Sequence, residues 1–310
     1  MGKAITLGRN RLDLYQRLRE VSLDLSIYQK VPSKFIRINP RKKKSIEKLA
    51  LQLKQEYGVE TIFQETGVPG IYRSTSNDIG GLVVGKQNEL FNRHYFIQDL
   101  ASVVCVQELE LQEGQTLLET CAARGFKSIL AHDLMKGNIQ ITALDIDPEK
   151  YQKMLYFFEK FGLRAETYLT DATQFIGKKY DRVLVDAPCS SEGMTVVYNS
   201  DLKMDVSGFE QVLQYSAEDI TNLCLLQGKL LQNGYNHLND NGILIYATCT
   251  LNKQENEEVI AYFLERNKDA VIIQPAIDKY KITAAVSDLG VRILPGDTKG
   301  FYFSKIKKSK

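Results

Sequence analysis

From about residue 94 onward, apolar runs with the length of a strand alternate with longer segments of helical spacing, and this order strongly constrains the fold. Strands are predicted at 116–120, 139–145, 165–169, 180–187, 242–247, 270–274 and 299–306. Helices are predicted near 96–110, 126–136, 148–162, 215–239 and 253–266. Repeated strand, helix, strand order predicts a doubly wound α/β sheet.

The first 93 residues are organised differently, as one helix followed by a small α+β unit. Apolar spacing predicts the helix over 10–28, and short strands are predicted at 34–39, near 59–63 and near 70–74. Ser45 and Gly58 have the residue types of an N-cap and a C-cap on either side of an amphipathic helix. We therefore predict two domains, at 1–93 and 94–310.

The composition is that of an ordinary folded protein. Of 310 residues, 44% are hydrophobic and 25% are charged. No apolar run reaches the roughly 18 to 20 residues that cross a bilayer, and no signal-peptide core is visible. The five cysteines form no CxxC pair, which argues against a zinc cluster or a complete disulfide framework. We expect a soluble, intracellular protein, cytoplasmic rather than membrane-bound, that holds no metal.

Two cysteines stand directly after two predicted buried strands. Cys189 lies in VLVDAPCSSEG and Cys249 lies in ILIYATCTLNKQENEEVI. In an open parallel sheet the ligand site lies beyond the carboxyl ends of the strands, and neighbouring strands are about 4.8 Å apart. Two such thiols can reach one bound substrate, although free cysteines are also often simple core residues.

The loop TCAARGFKS at 120–128 follows the first strand of the larger unit, and its small residues allow a ligand to approach a helix N-terminus. It lacks GxGxxG, so a nucleoside without a pyrophosphate is the better fit. Asp145 ends the next strand, where an acidic residue can bind ribose hydroxyls. Asp171 follows the third strand, where a carboxylate can accept a hydrogen bond from an exocyclic amine. Each acid alone could equally be an N-cap or a loop charge.

These residues resemble the Nop2/Sun (RsmB-like) family of S-adenosylmethionine-dependent RNA cytosine-5 methyltransferases. The strongest segments are DAPCS at 186–190 and YATCTLNKQENEEV at 246–259, and the similarity runs from about residue 30 to 306. The resemblance implies a Rossmann-like class I methyltransferase sheet, mostly parallel with an antiparallel last strand, beside a small N-terminal α+β domain of RNA-binding type. It also implies S-adenosylmethionine as the cofactor and RNA as the partner.

The resemblance further implies roles for individual residues. Cys249 is the nucleophile that adds to position 6 of a cytosine, so that position 5 can accept the methyl group. Cys189 assists proton removal and product release, and Asp186 hydrogen-bonds the base and stabilises the charged intermediate. The implied cofactor-binding residues are Cys121, Ala122, Ala123, Gly125, Lys127, Asp145, Lys150, Asp171 and Asp186.

The residues after Cys249 suggest how its thiol could be activated. A free cysteine is only a few per cent thiolate near neutral pH, and the thiolate is the nucleophile. Asn252 and Glu255 have the spacing of a capping box. They predict a helix whose N-terminal dipole favours the Cys249 thiolate.

The sequence departs from the family pattern at two places. Arg124 and Phe126 stand where the family loop usually has Pro and Gly, and Ser191 and Glu192 replace a Gly and an apolar residue. The first departure leaves open an alternative, an RNA-binding or assembly factor that kept the fold and lost turnover. A nicotinamide dehydrogenase would need the phosphate-binding glycine loop that this sequence lacks.

Positive charge is clustered although the net charge is only +2. Lysines at 305, 307, 308 and 310 and a basic turn are candidates to hold RNA phosphates, or are simply solvated ends. The chain resembles the compact members of the family, which places transfer RNA slightly ahead of ribosomal RNA as a substrate. A monomer is expected. The basic turn consists of Arg41, Lys42, Lys43 and Lys44.

Overall fold

The larger part of the structure is a nine-stranded, mostly parallel sheet. The computed structural model describes residues 16, 17, 19, 28, 32–38, 45–76, 78–79, 95–194, 197–198, 203–204 and 215–309. The strands of the large sheet are β5 (Thr116–Glu119), β6 (Gln140–Asp145), β7 (Glu166–Leu169), β8 (Tyr180–Asp186), β11 (Leu238–Thr248), β12 (Ala270–Ile272), β13 (Ala284–Ser287), β14 (Gly290–Ile293) and β15 (Phe301–Lys308).

The strand order along the large sheet is β13-β14-β15-β11-β8-β5-β6-β7, with β12 also pairing with β15. The five strands from β11 to β7 are parallel, and β15 pairs antiparallel with β11. A hairpin of β9 (Val197–Tyr198) and β10 (Lys203–Met204) lies apart from it. The order along the chain reverses between β5 and β8, which is where open α/β sheets bind their ligands.

The N-terminal part is a four-stranded antiparallel sheet with one helix. Its strands are β1 (Lys34–Ile38), β2 (Phe63–Glu65), β3 (Ile71–Ser74) and β4 (Tyr95–Ile97), in the order β2-β3-β1-β4. Helix α1 (Ile46–Tyr57) begins after Ser45, whose side chain accepts a hydrogen bond from the Lys48 amide, and ends at Gly58 in a left-handed conformation. Both predicted caps are therefore confirmed.

Five further helices cover the faces of the large sheet. They are α2 (Leu100–Gln107), α3 (Phe126–Leu134), α4 (Pro148–Phe161), α5 (Ala217–Asn236) and α6 (Glu257–Arg266). Alternate residues of each strand enter opposite cores: Val183 and Val185 of β8 pack on one side, and Leu184 packs on the other. Burial on both faces explains why these strands are continuous apolar runs in the sequence.

The predicted α/β sheet with an antiparallel last strand is confirmed, and the differences are local. The predicted start of the helix near 96–110 is wrong, because residues 96 and 97 belong to β4, which pairs with β1. The aromatic and β-branched side chains of this segment suit a strand, and α2 starts only after Asp99, whose carboxylate accepts a hydrogen bond from the Ala101 amide. Most of the helix predicted over 10–28 lies outside the described residues.

A buried ion pair joins the N-terminal sheet to helix α3. Arg37 of β1 donates from Nη1 to Asp133 Oδ2 of α3 at 2.7 Å, and both side chains are almost inaccessible. The Arg37 guanidinium also lies 4.0 Å from the ring centroid of Phe96. Because α3 follows the glycine-containing loop, this pair fixes the N-terminal unit against the helix behind that loop.

Every helix among the described residues is too short or too polar to span a bilayer.

We expect Asp133→Ala to lower the free energy of unfolding by about 3–5 kcal/mol, because the Arg37 charge would remain buried without its carboxylate. Urea denaturation followed by circular dichroism measures this change. Lys54→Ala is the control, since the Lys54–Glu60 ion pair is also 2.7 Å long but is fully exposed to solvent and such pairs contribute little. Equal effects of the two substitutions would contradict the role given to the buried pair.

Candidate active site

A cavity of about 510 Å³ lies at the carboxyl ends of β5 and β8. The loop that forms one wall turns into α3 at Gly125, whose backbone is left-handed with φ 75°. A Cβ atom at this position would lie 2.3 Å from Cε1 of Phe158, so no other residue fits without displacing that ring. Five of the predicted cofactor residues line the cavity: Ala122, Ala123, Lys127, Lys150 and Asp186.

The remaining predicted cofactor residues support this wall or stand beside it. Asp145 accepts hydrogen bonds from the amides of Ala123 at 2.7 Å and Asp147 at 2.9 Å, which ties the glycine-containing loop to the end of β6. Asp171 accepts from both the amide and the hydroxyl of Thr173 at 2.8 Å. Cys121 is half-buried at the start of the loop, and burial raises its pKa to about 12.

Lys127 and Asp186 form an ion pair at the floor of the cavity. Burial opposes a charge on Lys127, but Asp186 and Glu119 outweigh that effect and raise its pKa. Glu119 is buried at the end of β5, accepts a hydrogen bond from the Ser128 hydroxyl, and has a pKa raised to about 7 by burial. The site thus keeps a lysine cation beside the carboxylate that the family resemblance assigns to the base.

The two cysteines meet as predicted. Cys189 follows β8 and Cys249 follows β11, and their Sγ atoms are 3.3 Å apart. The parallel register of these strands pairs Asp186 with Ala247, so both chains leave the sheet at the same level. Cys249 Sγ also lies 3.4 Å from the Ser191 hydroxyl. Both thiols are free.

The surroundings of the two thiols favour Cys249 as the thiolate. The hydrogen bond from Cys189 lowers the pKa of Cys249 and burial raises it. The hydrogen bond with Ser191 and the charge of Lys127 lower it further, while the charge of Asp186 raises it. The same hydrogen bond, burial and the nearby Glu255 carboxylate raise the pKa of Cys189. Cys249 is therefore the thiol of the pair that ionises more easily, which is the order that the assigned roles require.

The predicted helix dipole at Cys249 is wrong. Helix α6 begins at Glu257, after an N-cap residue, Asn256, that makes no side-chain cap bond. Asn252 instead accepts from the Gln254 amide at 2.9 Å within a turn. The capping-box spacing failed because long-range hydrogen bonds use the Glu255 side chain elsewhere. The pKa of Cys249 is lowered by neighbouring side chains rather than by a helix.

Glu255 connects the two cysteine loops from behind and was not recognised as a site residue in the sequence. Its buried carboxylate accepts from the Ser190 amide at 3.0 Å, from the Ser190 hydroxyl at 2.5 Å and from Gln227 Nε2 at 2.9 Å. Gln227 also donates to the Pro188 carbonyl at 2.9 Å. The position of Glu255, six residues after Cys249 in an otherwise polar string, carries no signal of these partners.

The other predicted positions are divided between the described and undescribed parts of the chain. Arg41, Lys42, Lys43 and Lys44 lie outside the described residues, so their role stays a prediction. Phe126 lines the cavity and packs against Phe157 with ring centroids 4.9 Å apart, while Arg124 is exposed. In the part of the chain that the structure describes, no cluster of three His, Cys, Asp or Glu side chains is arranged to bind a metal.

A family model described as 16S rRNA methyltransferase RsmB/F matches residues 106–307, which is more than half of the chain. The chain belongs to the RsmB/F family. This family comprises S-adenosylmethionine-dependent RNA methyltransferases of Nop2/Sun type. The family resemblance seen in the cysteine motifs is therefore confirmed.

Curated RsmB relatives match the same region. Ribosomal RNA small subunit methyltransferase B of Yersinia enterocolitica is 31% identical over 219 residues, covering 68% of this chain and 46% of that protein. The protein of the same name from Shewanella oneidensis is 31% identical over 219 residues, covering 69% and 47%. The chain thus spans about half the length of the curated relatives it matches.

Solved structures share the fold of this RsmB/F family member over nearly its whole length. The crystal structure of NSun6 from Pyrococcus horikoshii with SFG has a TM-score of 0.73 and 18% identity, and covers 92% of both chains. A methyltransferase homologue from Pyrococcus horikoshii has a TM-score of 0.71 and 21% identity, covering 91% of this chain and 88% of that one. At these identities the likeness establishes the fold alone.

Gly125→Ala is expected to lower the free energy of unfolding by about 2–4 kcal/mol, because the left-handed backbone and the contact with Phe158 both oppose a Cβ atom. Gly58→Ala is the matched control, since Gly58 is also left-handed but has nothing within 4 Å of the added atom. It should cost only about 1 kcal/mol. Thermal and urea unfolding of both variants measure the difference, and similar losses would show that the Phe158 contact is unimportant.

The thiol pair predicts a pH-dependent reactivity. Cys189→Ala removes the hydrogen bond that most lowers the pKa of Cys249, so the curve of Cys249 alkylation rate against pH should move to higher pH and the rate at pH 7 should fall several-fold. Iodoacetamide labelling with peptide mass spectrometry follows each cysteine separately. Buried Cys105, whose pKa burial raises, serves as the unreactive reference. An unchanged curve for Cys249 would refute the effect given to the Cys189 hydrogen bond.

Proposed function

We propose that this protein is an RNA cytosine-5 methyltransferase that uses S-adenosylmethionine and Cys249. The single observation that carries the proposal is the 3.3 Å contact between two free thiols at the ends of neighbouring parallel strands, beside a cavity built on a glycine-containing loop. Family membership supports methyl transfer to RNA. The choice of cytosine and of its position 5 rests on the paired cysteines.

The cavity fits the cofactor in its shape and its donor set. A volume of about 510 Å³ is within the range of pockets for ligands of this size. Gly125 lets the loop pack directly on Phe158 of α4, which a Cβ atom would prevent, and this packing holds the loop in the wall of the cavity. When bound, S-adenosylmethionine supplies an electrophilic methyl group. We propose that Lys127, Asp145, Lys150, Asp171 and Asp186 surround it, together with the small residues of the loop, Cys121, Ala122, Ala123 and Gly125.

Cys249 and Asp186 act on the base. The Cys249 thiolate forms a bond to C6 of the cytosine, and the electron pair of the C5–C6 double bond moves towards the ring nitrogen and carbonyl oxygen. The Lys127 cation, held by the Asp186 carboxylate, can stabilise that negative charge, and Asp186 can hydrogen-bond the base. C5 then becomes the carbon nucleophile that would accept the methyl group, and the methyl donor would be released as a neutral thioether.

Cys189 acts in product release. While Cys249 is a thiolate, its charge raises the pKa of Cys189. That charge disappears when Cys249 bonds to C6, so the Cys189 thiol can lose its proton to solvent, and the resulting thiolate can accept the proton from C5. Loss of that proton restores the C5–C6 double bond, breaks the C6–sulfur bond and returns the electron pair to Cys249.

We propose small-subunit ribosomal RNA as the first substrate to test. The relatives matched over about two thirds of this chain carry that substrate in their names, whereas the neighbour named NSun6 shares only the fold. Transfer RNA, which the sequence placed slightly ahead, is the second substrate. A flexible or single-stranded site would lower the cost of unstacking the cytosine.

A second candidate function is an RNA-binding or assembly factor without turnover. It is favoured by one observation, the Phe126 side chain in the wall of the cavity, where a glycine would leave more space. Against it, Phe126 packs on Phe157, and both thiols, Asp186 and the Lys127 contact are intact. A scaffold has no physical requirement for that set.

The test is transfer of labelled methyl from S-adenosylmethionine to unmodified ribosomal and transfer RNA, with the product digested to nucleosides. We expect 5-methylcytidine from the unaltered protein. Cys249→Ala should abolish both transfer and the covalent RNA adduct, since no bond to C6 can form. Cys189→Ala should lower turnover by about 10²-fold or more and accumulate the adduct, because proton removal is impaired.

Phe126→Gly separates the two candidate functions. If Phe126 blocks the cofactor, this substitution should create transfer in a protein that otherwise only binds RNA. RNA binding measured in parallel shows whether a silent protein is folded and competent. An adduct that survives Cys249→Ala but is lost in Cys189→Ala would reverse the two assigned roles.

A further inference from the structure

Ser191 is a non-glycine residue in a conformation that favours glycine, and it stands at the nucleophile. Its φ is 62°, within the left-handed region that L-residues with a Cβ atom rarely occupy. Its hydroxyl oxygen lies 3.4 Å from Cys249 Sγ and accepts a hydrogen bond from that sulfur while it is a thiol. Backbone strain of this kind persists only where the surrounding structure holds it in place, and it concentrates at functional sites.

The surrounding backbone holds Ser191 over the thiol. The Gly193 amide donates to the Cys249 carbonyl at 3.0 Å, and the Gly300 amide donates to the Gly193 carbonyl at 2.8 Å. The buried Glu192 carboxylate accepts from Arg17 Nε at 2.7 Å. Glu192 and Gly193 are fixed in this way, and Ser190 on the other side is held by the Glu255 carboxylate, so the Ser191 side chain is directed at Cys249.

We propose that Ser191 is a catalytic residue of this site, whose hydroxyl donates a hydrogen bond to the Cys249 thiolate. This inference rests on the proposed function and adds a residue to it. Ser191 and Cys189 are then two donors to one sulfur. Hydrogen bonds to a charged acceptor are stronger than those to a neutral one, so the contact stabilises the thiolate more than the thiol.

The Ser191 hydroxyl acts in two steps, the attack of Cys249 on C6 and the later cleavage of the C6–sulfur bond. Before attack it raises the thiolate fraction of Cys249. After methyl transfer, the bond between C6 and sulfur breaks, the C5 proton passes to a base and the electron pair returns to Cys249. The Ser191 hydroxyl is in place to receive that returning charge, so it makes Cys249 a better leaving group as well as a more available nucleophile.

Other groups around Cys249 also influence its ionisation and are kept constant in the test. After the Cys189 hydrogen bond and the opposing effect of burial, the Ser191 contact is the next influence that lowers the pKa of Cys249. The further titratable groups that face this thiol from the elements packed around it are Lys127, Asp186, Tyr215 and Lys299.

Two substitutions distinguish chemistry from backbone strain. Ser191→Gly removes the hydroxyl and relieves the left-handed conformation, so its melting temperature should rise. Ser191→Ala removes the hydroxyl and keeps the strain, so its melting temperature should not rise. Both should slow Cys249 alkylation by iodoacetamide at neutral pH by about tenfold, and the rates should approach that of the unaltered protein at alkaline pH.

Asn241→Gly is the matched control. Asn241 has the same φ of 62° but lies exposed within β11, where the pairing with β8 shifts register between Leu238 and Ile243. Its substitution by glycine should leave Cys249 alkylation unchanged. If either Ser191 variant alkylates Cys249 as fast as the unaltered protein at neutral pH, the assignment of Ser191 is overturned.

Alkylation requires neither RNA nor cofactor, so this result is separate from that of the proposed function. Formation of 5-methylcytidine by the unaltered protein together with normal alkylation of Ser191→Gly would remove Ser191 from the mechanism and leave the enzyme. Slower alkylation confined to Ser191→Ala, with a falling melting temperature, would assign Ser191 a structural role and also overturn the proposal.

Discussion

The parallel pairing of β8 with β11 is the constraint on which the site depends. Its register places Asp186 opposite Ala247, and the thiols that follow these strands therefore leave the sheet side by side. The same edge carries the glycine-containing loop after β5 and Asp145 at the end of β6. A shift of register by one residue would turn every side chain of β8 to the opposite face, so the core packing that fixes the register also fixes the distance between the two sulfur atoms.

Much of the fold could be predicted from the sequence because its strands are buried on both faces. Continuous apolar runs identified β5, β6, β8 and β11, and two strand-end cysteines on neighbouring strands identified the site. Contacts between distant segments could not be predicted. The Glu255 carboxylate lies 65 residues from Ser190, its hydrogen-bond donor, and nothing local distinguishes it from the capping residue that its spacing imitates. The tertiary hydrogen bonds of Glu255 outweighed that local pattern, so the helix after Cys249 begins only at Glu257.

Buried acids and one lysine give the two thiols different electrostatic environments. Glu255 lies behind Cys189, and burial raises the pKa of that carboxyl group. Burial also raises the pKa of Glu192 to about 7, although Arg17 opposes it. On the other side, the Lys127 cation faces the cavity and Asp186. The neighbouring groups therefore disfavour a negative charge on Cys189 and favour one on Cys249. Two chemically identical thiols thus differ in pKa because of their surroundings.

The contact between Gly300 and Gly193 has a consequence for how the protein is made. A Cβ atom on Gly193 would lie 2.1 Å from the Gly300 carbonyl oxygen, so these backbones touch directly. Gly300 leads into β15, which lies inside the sheet between β11 and β14. During synthesis, Gly193 in the loop after Cys189 therefore lacks its contact with Gly300 until residues more than 100 positions later have been added and inserted. The nascent chain therefore contains both cysteines before it contains the Gly300 contact that fixes Gly193 beside Cys249.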